Sequence, residues 1–345
     1  MAKVLFLTPW YPSENDAMSG LFVQKHAESV RAQGVDVRVI FSETWLDTWR
    51  QWKNLQREGW MPDVVQLNVI QKQGLLALWL KRKYGIPYVI VEHWSGYLPE
   101  NGTFMRHPKF KRRLYRHIAE EAAIILSVSQ RHAEAMKACG IRNDHWGKIN
   151  NVVDEFFYGQ RTKDKGQKTK ILLHVSCFDE RAKNVKGLLR AAKMLSEKRQ
   201  DWRLVLVGTG VDYADVRAYA ESLQFPEGVL EWTGELTPRE VSEQFDRADV
   251  FVLPSNYENA PVVISESLAK GVPVVASLVG GIPEMVDEKS GILVPPGHVE
   301  ELAAALDRML DSYPSYDKKI IRQAGEQYAS DKVGVQLKAI YESVL

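Results

Sequence analysis

A chain of 345 residues is long for one domain of about 100–200 residues, so two domains are predicted. Hydrophobic residues at 45% and charged residues at 26% exclude a disordered or fibrous chain. The 45 Lys/Arg against 44 Asp/Glu leave a net charge of +1, which argues against bulk nucleic-acid binding. The two cysteines, Cys139 and Cys177, are too few for a disulfide framework or a cysteine-based zinc cluster. The opening MAKVLFLTPWYPSENDA lacks the apolar length and small-residue cleavage site of a signal peptide. No apolar run approaches the ~20 residues of a membrane span. A soluble, cytoplasmic protein is the expectation.

In chain order, apolar runs of strand length fall at 4–8, 35–41, 64–69, 88–92 and 123–128. A helical pattern over 22–33 is closed by Gly34. Continuous apolar strands separated by helices predict a parallel sheet covered on both faces. Residues 159–170, GQRTKDKGQKTK, carry no large apolar side chain and read as a linker or exposed loop. The alternation then restarts, with strands at 171–176, 203–207, 229–232, 250–253, 272–276 and 291–294. Helices are predicted at 187–197, 214–223, 239–247, 262–270 and 299–310. The expected fold class is α/β, with two Rossmann-like domains. An acceptor-binding domain takes 1–160 and a nucleotide-sugar-binding domain 161–325. A helix in 326–345 is expected to return to the first domain. Sheets of this kind bind ligands beyond the carboxyl ends of their strands, so two facing domains predict a site in the cleft between them.

The near-neutral charge hides an asymmetry. Residues 1–150 hold 21 Lys/Arg and 14 Asp/Glu, a net of +7, while the remainder holds 24 and 30, a net of −6. Eight of the 10 Trp also lie before residue 150. Halves this different suit different partners.

Gly208-Thr209-Gly210 follows a predicted strand, but Tyr213 stands where GxGxxG needs its third glycine. That disfavours a dinucleotide-dependent dehydrogenase. The turn fits either a tight strand-to-helix connection or a backbone contact with phosphate. The densest signal is PSNYENAPVVISESLAKGVPVVASLVGGIPE, residues 254–284. Glu258 lies in the loop after strand 250–253, and Glu266 lies in a helix beginning near Pro261. Carboxylates accept hydrogen bonds from sugar hydroxyls, and the amides near Asn259 and Ala260 stand at an anion-friendly helix start. Two glutamates at this spacing alone would read as a solvated helix face.

The surroundings carry more. E-x7-E followed by AKGVPVVAS and GGIPEMV resembles the donor-binding segment of retaining GT-B glycosyltransferases of family 4. KNVKGLLRAAKML (183–195), LVLVGTG (204–210) and WTGELTPREV (232–241) are similar to that family's preceding segments. In the first half the same holds for SGLFVQKHAESVRAQGVDVRVI (19–40), VEHWSGY (91–97), SVSQRHAEAM (127–136) and INNVVDEFF (149–157). The resemblance spans roughly residues 3–310 in the right order, and implies the GT-B fold.

It also implies roles. Glu258 would stand beside the donor sugar, with the backbone of Asn259, Ala260, Pro261 and Val262 near sugar and phosphate. Glu266 would bind ribose hydroxyls, and Lys183 would neutralise the diphosphate. Gly20 and Gly208 would bring backbone close to the donor, and His93 would contact the transferred sugar. The family places a Gly-Arg pair where this chain has Ser176-Cys177, and Arg181 is the candidate to supply the missing charge. Glu284 would either touch the ligand or cap a following helix. The candidate catalytic residues are thus Glu258, His93 and Lys183.

Negative charge builds on the leaving diphosphate, and Lys183, Arg181 and backbone amides would stabilise it. No DxD-like acidic cluster precedes the match, so no metal and no cofactor besides the donor are expected. The resemblance implies retention at the anomeric carbon. No residue presents itself as nucleophile, and same-face attack with the leaving phosphate as base fits. Closure of the domains would expel water.

Residues 106–116 hold six Arg/Lys and no acid, within FMRHPKFKRRLY and its continuation. Such a segment suits an anionic membrane surface, a lipid-linked phosphate acceptor or a solvated helix face. Trp45, Trp49 and Trp52 recur at helical spacing, which core packing explains most simply and an acceptor platform or interfacial patch would also fit. The expected function is transfer of a sugar from a nucleoside-diphosphate sugar, UDP before GDP, to a glycan or lipid-linked acceptor. Cell-surface polysaccharide or glycolipid synthesis is the setting, with the enzyme peripheral on the inner face of the membrane and no nucleic-acid partner. A nucleotide-sugar epimerase and a non-catalytic sugar-nucleotide-binding subunit are the alternatives.

Overall fold

A computed structural model describes residues 2–14, 16, 18–159 and 169–345. Most of the linker expected at 159–170 lies outside the described residues. The chain forms two compact units, Met1–Val152 with Tyr328–Leu345, and Val153–Gln327.

Unit 1 runs β1 (Lys3–Thr8), α1 (Leu21–Ala32), β2 (Asp36–Phe41), α2 (Trp45–Arg57), β3 (Val64–Asn68), α3 (Gly74–Tyr84), β4 (Tyr88–Glu92), α4 (Thr103–Arg106), α5 (Lys109–Glu120), β5 (Ile124–Ser127), α6 (Gln130–Ala138) and β6 (Trp146–Lys148). The six strands pair in parallel in the order β2-β1-β3-β4-β5-β6. Its inner strands are buried on both faces, which is why their sequences are apolar without alternation.

Unit 2 runs β7 (Lys170–Val175), α7 (Glu180–Lys183), α8 (Val185–Ser196), β8 (Trp202–Val207), α9 (Tyr213–Ser222), β9 (Leu230–Gly234), α10 (Pro238–Arg247), β10 (Val250–Leu253), α11 (Val262–Lys270), β11 (Val274–Ser277), β12 (Gly291–Val294), α12 (Val299–Ser312) and α13 (Lys318–Gly325). Its strands are parallel, in the order β12-β11-β10-β7-β8-β9. That is the doubly wound Rossmann arrangement, with the strand order reversing between β7 and β10. In unit 1 the reversal falls between β1 and β3. Ligands of such sheets bind outside the carboxyl ends at these reversals.

The last helix, α14 (Ser330–Val344), belongs to unit 1. Val333, Leu337 and Tyr341, spaced four apart, enter the core with Val30 and Val37. A Cβ at Gly334 would stand 2.4 Å from the Ser29 carbonyl oxygen, so glycine lets α14 approach α1 closely.

Several bounds differ from expectation. β11 starts at Val274 rather than 272, because Pro273 has no N–H to donate and only its carbonyl is used, by the Phe251 amide. α8 starts at Val185, where Asn184 at φ 51 breaks it from α7. The tryptophan stripe lies on α2, with Trp52 fully buried and Trp45 and Trp49 half-buried. Trp49 meets Trp79 of α3 edge-on at 4.9 Å between ring centroids. Among the described residues no helix is long and apolar enough to cross a membrane.

Candidate functional site

In unit 2 the two loops flanking the strand reversal hold most of the candidate residues. The first follows β7 and holds Ser176 to Lys183. Asp179 caps α7, accepting the Arg181 and Ala182 amides, and so fixes where the basic side chains leave the backbone. The second loop follows β10 and holds Glu258. The loops are laced together: the Asn256 amide donates to the Ala182 carbonyl at 2.7 Å, Asn256 Nδ2 to the Arg181 carbonyl at 3.1 Å, and Asn184 Nδ2 to the Pro254 carbonyl at 3.2 Å.

Across this seam Lys183 Nζ donates to Glu258 Oε1 at 2.5 Å, and Ser255 Oγ donates to the same oxygen at 2.8 Å. Both charged side chains are largely buried, at 16% and 10% exposed. Burial opposes the Lys183 ammonium, but the adjacent Glu258 carboxylate, together with Cys177 and Tyr257, holds its pKa above the ordinary lysine value. The candidate phosphate-binding cation and the candidate sugar-binding carboxylate are therefore mutual partners here.

The double glycine downstream is explained by the same spot. A Cβ at Gly280, whose φ is +53, would lie 1.6 Å from the Glu258 carbonyl oxygen. The Gly281 amide donates to the Asn259 carbonyl at 2.9 Å. The loop after β11 thus lies against the backbone of Glu258–Asn259, which only glycine allows. α11 begins immediately after, with Pro261 at its N-cap and no side chain capping its amides. Glu266 sits inside α11 and is buried, as the sequence pattern predicts. Glu284 is exposed in a single 3-10 turn, Ile282–Glu284, and no regular helix follows before Val299. The helix-cap reading of Glu284 is therefore corrected.

Arg181 is exposed and lies against Tyr257, its guanidinium 5.8 Å from the ring centroid and its Nη2 3.4 Å from the hydroxyl. Cys177 is exposed. Gly208 has φ +119, and a Cβ there would lie 2.0 Å from the Ser176 carbonyl oxygen. The Gly208–Gly210 turn packs on the β7 loop, with the Phe178 amide donating to the Thr209 carbonyl at 2.8 Å. Its tight-turn role is thus visible in the geometry.

Unit 1 places its candidates at the carboxyl ends of β1 and β4. Gly20, φ +65, is the N-cap of α1, and a Cβ there would strike the Trp10 backbone at 2.3 Å. His93 follows β4 directly. Its ring lies 4.1 Å from Phe22, in the first turn of α1, and 5.6 Å from His26. Burial first, then the neighbouring His26 and His132, push its pKa well below the usual histidine value. The imidazole is therefore neutral at pH 7 and offers hydrogen bonding rather than charge.

Sequence reasoning missed Glu92. It is fully buried at the end of β4. Its Oε1 accepts the His93 and Trp94 amides at 3.0 and 2.9 Å, and its Oε2 accepts the Ile70 amide at 2.9 Å. Burial raises its pKa to about 7, against the pull of those backbone hydrogen bonds. A charged residue closing an otherwise apolar strand was the available signal. The basic segment 104–116 forms α4 and the start of α5, with Phe110 77% and Met105 53% exposed among the cations.

Known proteins share this fold. The family model of glycosyl transferases group 1 matches residues 160–327, and that of Glycosyltransferase Family 4 matches residues 3–155. TuaC of Bacillus subtilis, by name a teichuronic acid biosynthesis glycosyltransferase, is 24% identical over 74% of this chain. The match spans 63% of that relative, a little under two thirds of its length. Among solved structures, sucrose-phosphate synthase from Thermosynechococcus elongatus superposes with TM-score 0.81 at 17% identity, over 100% of this chain and 99% of its own. HepE of Anabaena, in complex with UDP-glucose, gives 0.77 at 17% identity over 99% and 100%. With a glycosyltransferase model matching each unit, over residues 3–155 and 160–327, and the same fold found in solved structures, the chain belongs to the GT-B glycosyltransferases of family 4.

Proposed function

We propose that this protein transfers a sugar from a nucleoside-diphosphate sugar to a glycan or lipid-linked acceptor in cell-surface polysaccharide or glycolipid synthesis. The observation that carries the reading is the buried Lys183–Glu258 pair at the strand reversal of unit 2, beside the start of α11, which no side chain caps. A diphosphate would take over the Lys183 ammonium and the first amides of α11. The released Glu258 carboxylate would then accept a sugar hydroxyl, and Glu266 would accept ribose hydroxyls. Charge that grows on the leaving phosphate meets a preorganised cation, with Arg181 as a second, so the reaction is proposed to need no metal. His93, neutral, would hydrogen-bond the transferred sugar. Retention with same-face attack follows from the resemblance of Glu258 and its surroundings to retaining members of the family. UDP is the favoured base; the complexes of HepE with UDP and with UDP-glucose support that choice.

The exposed Phe110 and Met105 among Arg106, Lys109 and Arg113 support an acceptor presented at an anionic membrane surface. The Ser176-Cys177 departure favours a second reading, a subunit that binds the nucleotide sugar without turning it over. A thermal-shift screen with UDP, GDP and ADP and their glucose conjugates tests both. Selective stabilisation with release of nucleotide diphosphate on adding acceptor supports the transferase. Stabilisation without release with any acceptor favours the binding subunit. No shift at millimolar ligand overturns both.

A further inference from the structure

We infer that Glu92 is the positioning residue for His93, fixing where the imidazole stands relative to the donor sugar by holding three backbone N–H groups from two loops. The inference rests on the reading of His93 as a sugar contact.

Glu92 is fully buried, and burying a carboxylate is costly unless its oxygens are well used. Here both oxygens are engaged by amides that have left their sheet ladders. Oε1 takes His93 and Trp94, so the peptide plane between them is set. Oε2 takes Ile70, in the loop after β3, one residue beyond Val69. Val69 holds φ 65, a conformation a β-branched residue adopts only when its surroundings impose it. One side chain thus ties the loop after β3 to the loop after β4, at the edge where a ligand of this sheet would bind.

The far side of the His93 loop is held separately. The Trp94 carbonyl meets His132 Nε2 at 3.0 Å, while His132 Nδ1 meets Ser127 Oγ at 3.0 Å. The titratable groups around Glu92 are Tyr97 in the following turn, Tyr115 of α5, His132 of α6, and His93 with His26 of α1 beyond it. None of these is a cation at pH 7, so the carboxylate is held by its three amides and the neighbouring Tyr97 hydroxyl. A carboxylate serves all three; a glutamine has one acceptor oxygen and turns an NH2 toward amides that also donate.

The test has two arms. In the first, wild-type protein labelled with 15N at Ile, His and Trp is titrated without ligand. The amide signals of Ile70, His93 and Trp94 should move together with one shared midpoint, as donors to a single titrating group. Independent or absent movement overturns the inference whether or not any variant folds. In the second, Glu92→Gln, Glu92→Asp and His93→Ala are compared in turnover of UDP-glucose and in UDP affinity. Glu92→Gln should lower kcat on the scale of about 100-fold, the cost of a small misplacement, with UDP affinity within about 3-fold of wild type. Wild-type kcat should rise with pH as Glu92 ionises, and Glu92→Gln should lose that rise. Wild-type turnover in Glu92→Gln with His93→Ala inactive overturns the inference and leaves the His93 reading standing. Wild-type turnover in His93→Ala overturns the reading itself, and any functional role for Glu92 with it. Should Glu92→Gln not fold, Glu92→Asp, which keeps two acceptors on a shorter arm, is read by the same kcat and affinity criteria.

Discussion

The two units handle buried charge in opposite ways. In unit 2 the cation and carboxylate at the strand reversal neutralise each other, so Lys183 stays charged through Glu258. In unit 1 burial shifts titratable groups toward their neutral forms instead: His26 of α1 and His132 of α6 are pushed down to about 4, and Glu92 at the end of β4 is raised to about 7. The difference teaches where each unit is vulnerable. Unit 2 is sensitive to removing one partner of a pair, unit 1 to pH.

The largest expected effect breaks the pair. Lys183→Ala leaves Glu258 largely buried without its cation, at a cost of about 3 kcal/mol. Nucleotide-diphosphate affinity should fall at least about 100-fold, measured by calorimetry. Lys183→Ala with Glu258→Ala should restore most of the lost stability while leaving donor binding absent. A double variant no more stable than Lys183→Ala would show that the two residues are not coupled.

The acid limb comes next. His26 and His132 have folded pKa values below the unfolded value, so the folded state binds fewer protons. Their stability contribution is complete above pH 6.5 and is lost as pH falls from about 6.5 to about 4. Each is worth up to about 3 kcal/mol over that window. Glu92 runs the other way: its raised pKa contributes most below about 4.5 and that contribution is gone once pH passes about 7. His93 is also pushed well below the ordinary histidine value by burial, so three histidines against one glutamate leave unit 1 acid-labile. In unit 2 His174, also pushed to about 4, is the matching buried histidine. Calorimetric scans from pH 7.5 to 5 should therefore lower the unit 1 transition more. Equal shifts in both transitions would contradict the contrast.

A smaller effect is expected at Gly280. Gly280→Ala combines a positive φ with a clash against the Glu258 carbonyl, costing about 1–3 kcal/mol. It should weaken donor binding, measured by calorimetry with UDP. The smallest effect on stability is expected on α5 itself. Phe110→Ser with Lys109→Glu should change stability by no more than about 0.5 kcal/mol, being exposed, yet abolish pelleting with anionic vesicles at low salt. Retained pelleting would remove this segment from any membrane role.

How much was legible follows the same division. The strands of both sheets stood out because burial on two faces makes their sequences continuously apolar. Glu258, Glu266 and the double glycine were legible because they lie within one short stretch. The Lys183–Glu258 contact was not, since it joins loops 75 residues apart through a seam of Asn256 and Asn184 bonds. The fit of Gly280 over the Glu258 carbonyl was likewise invisible before the loops were placed. In unit 1, β6 escaped notice: three residues at a sheet edge carry no period. Glu92 escaped because its partners are backbone amides, which leave no trace in the sequence.

The most direct test of the central claim is the melting temperature of wild type and Lys183→Ala with and without millimolar UDP. The account predicts a clear rise for wild type and none for the variant, because the site is organised around that cation. An equal rise in both, or no rise in wild type with UDP, GDP or ADP, would contradict it.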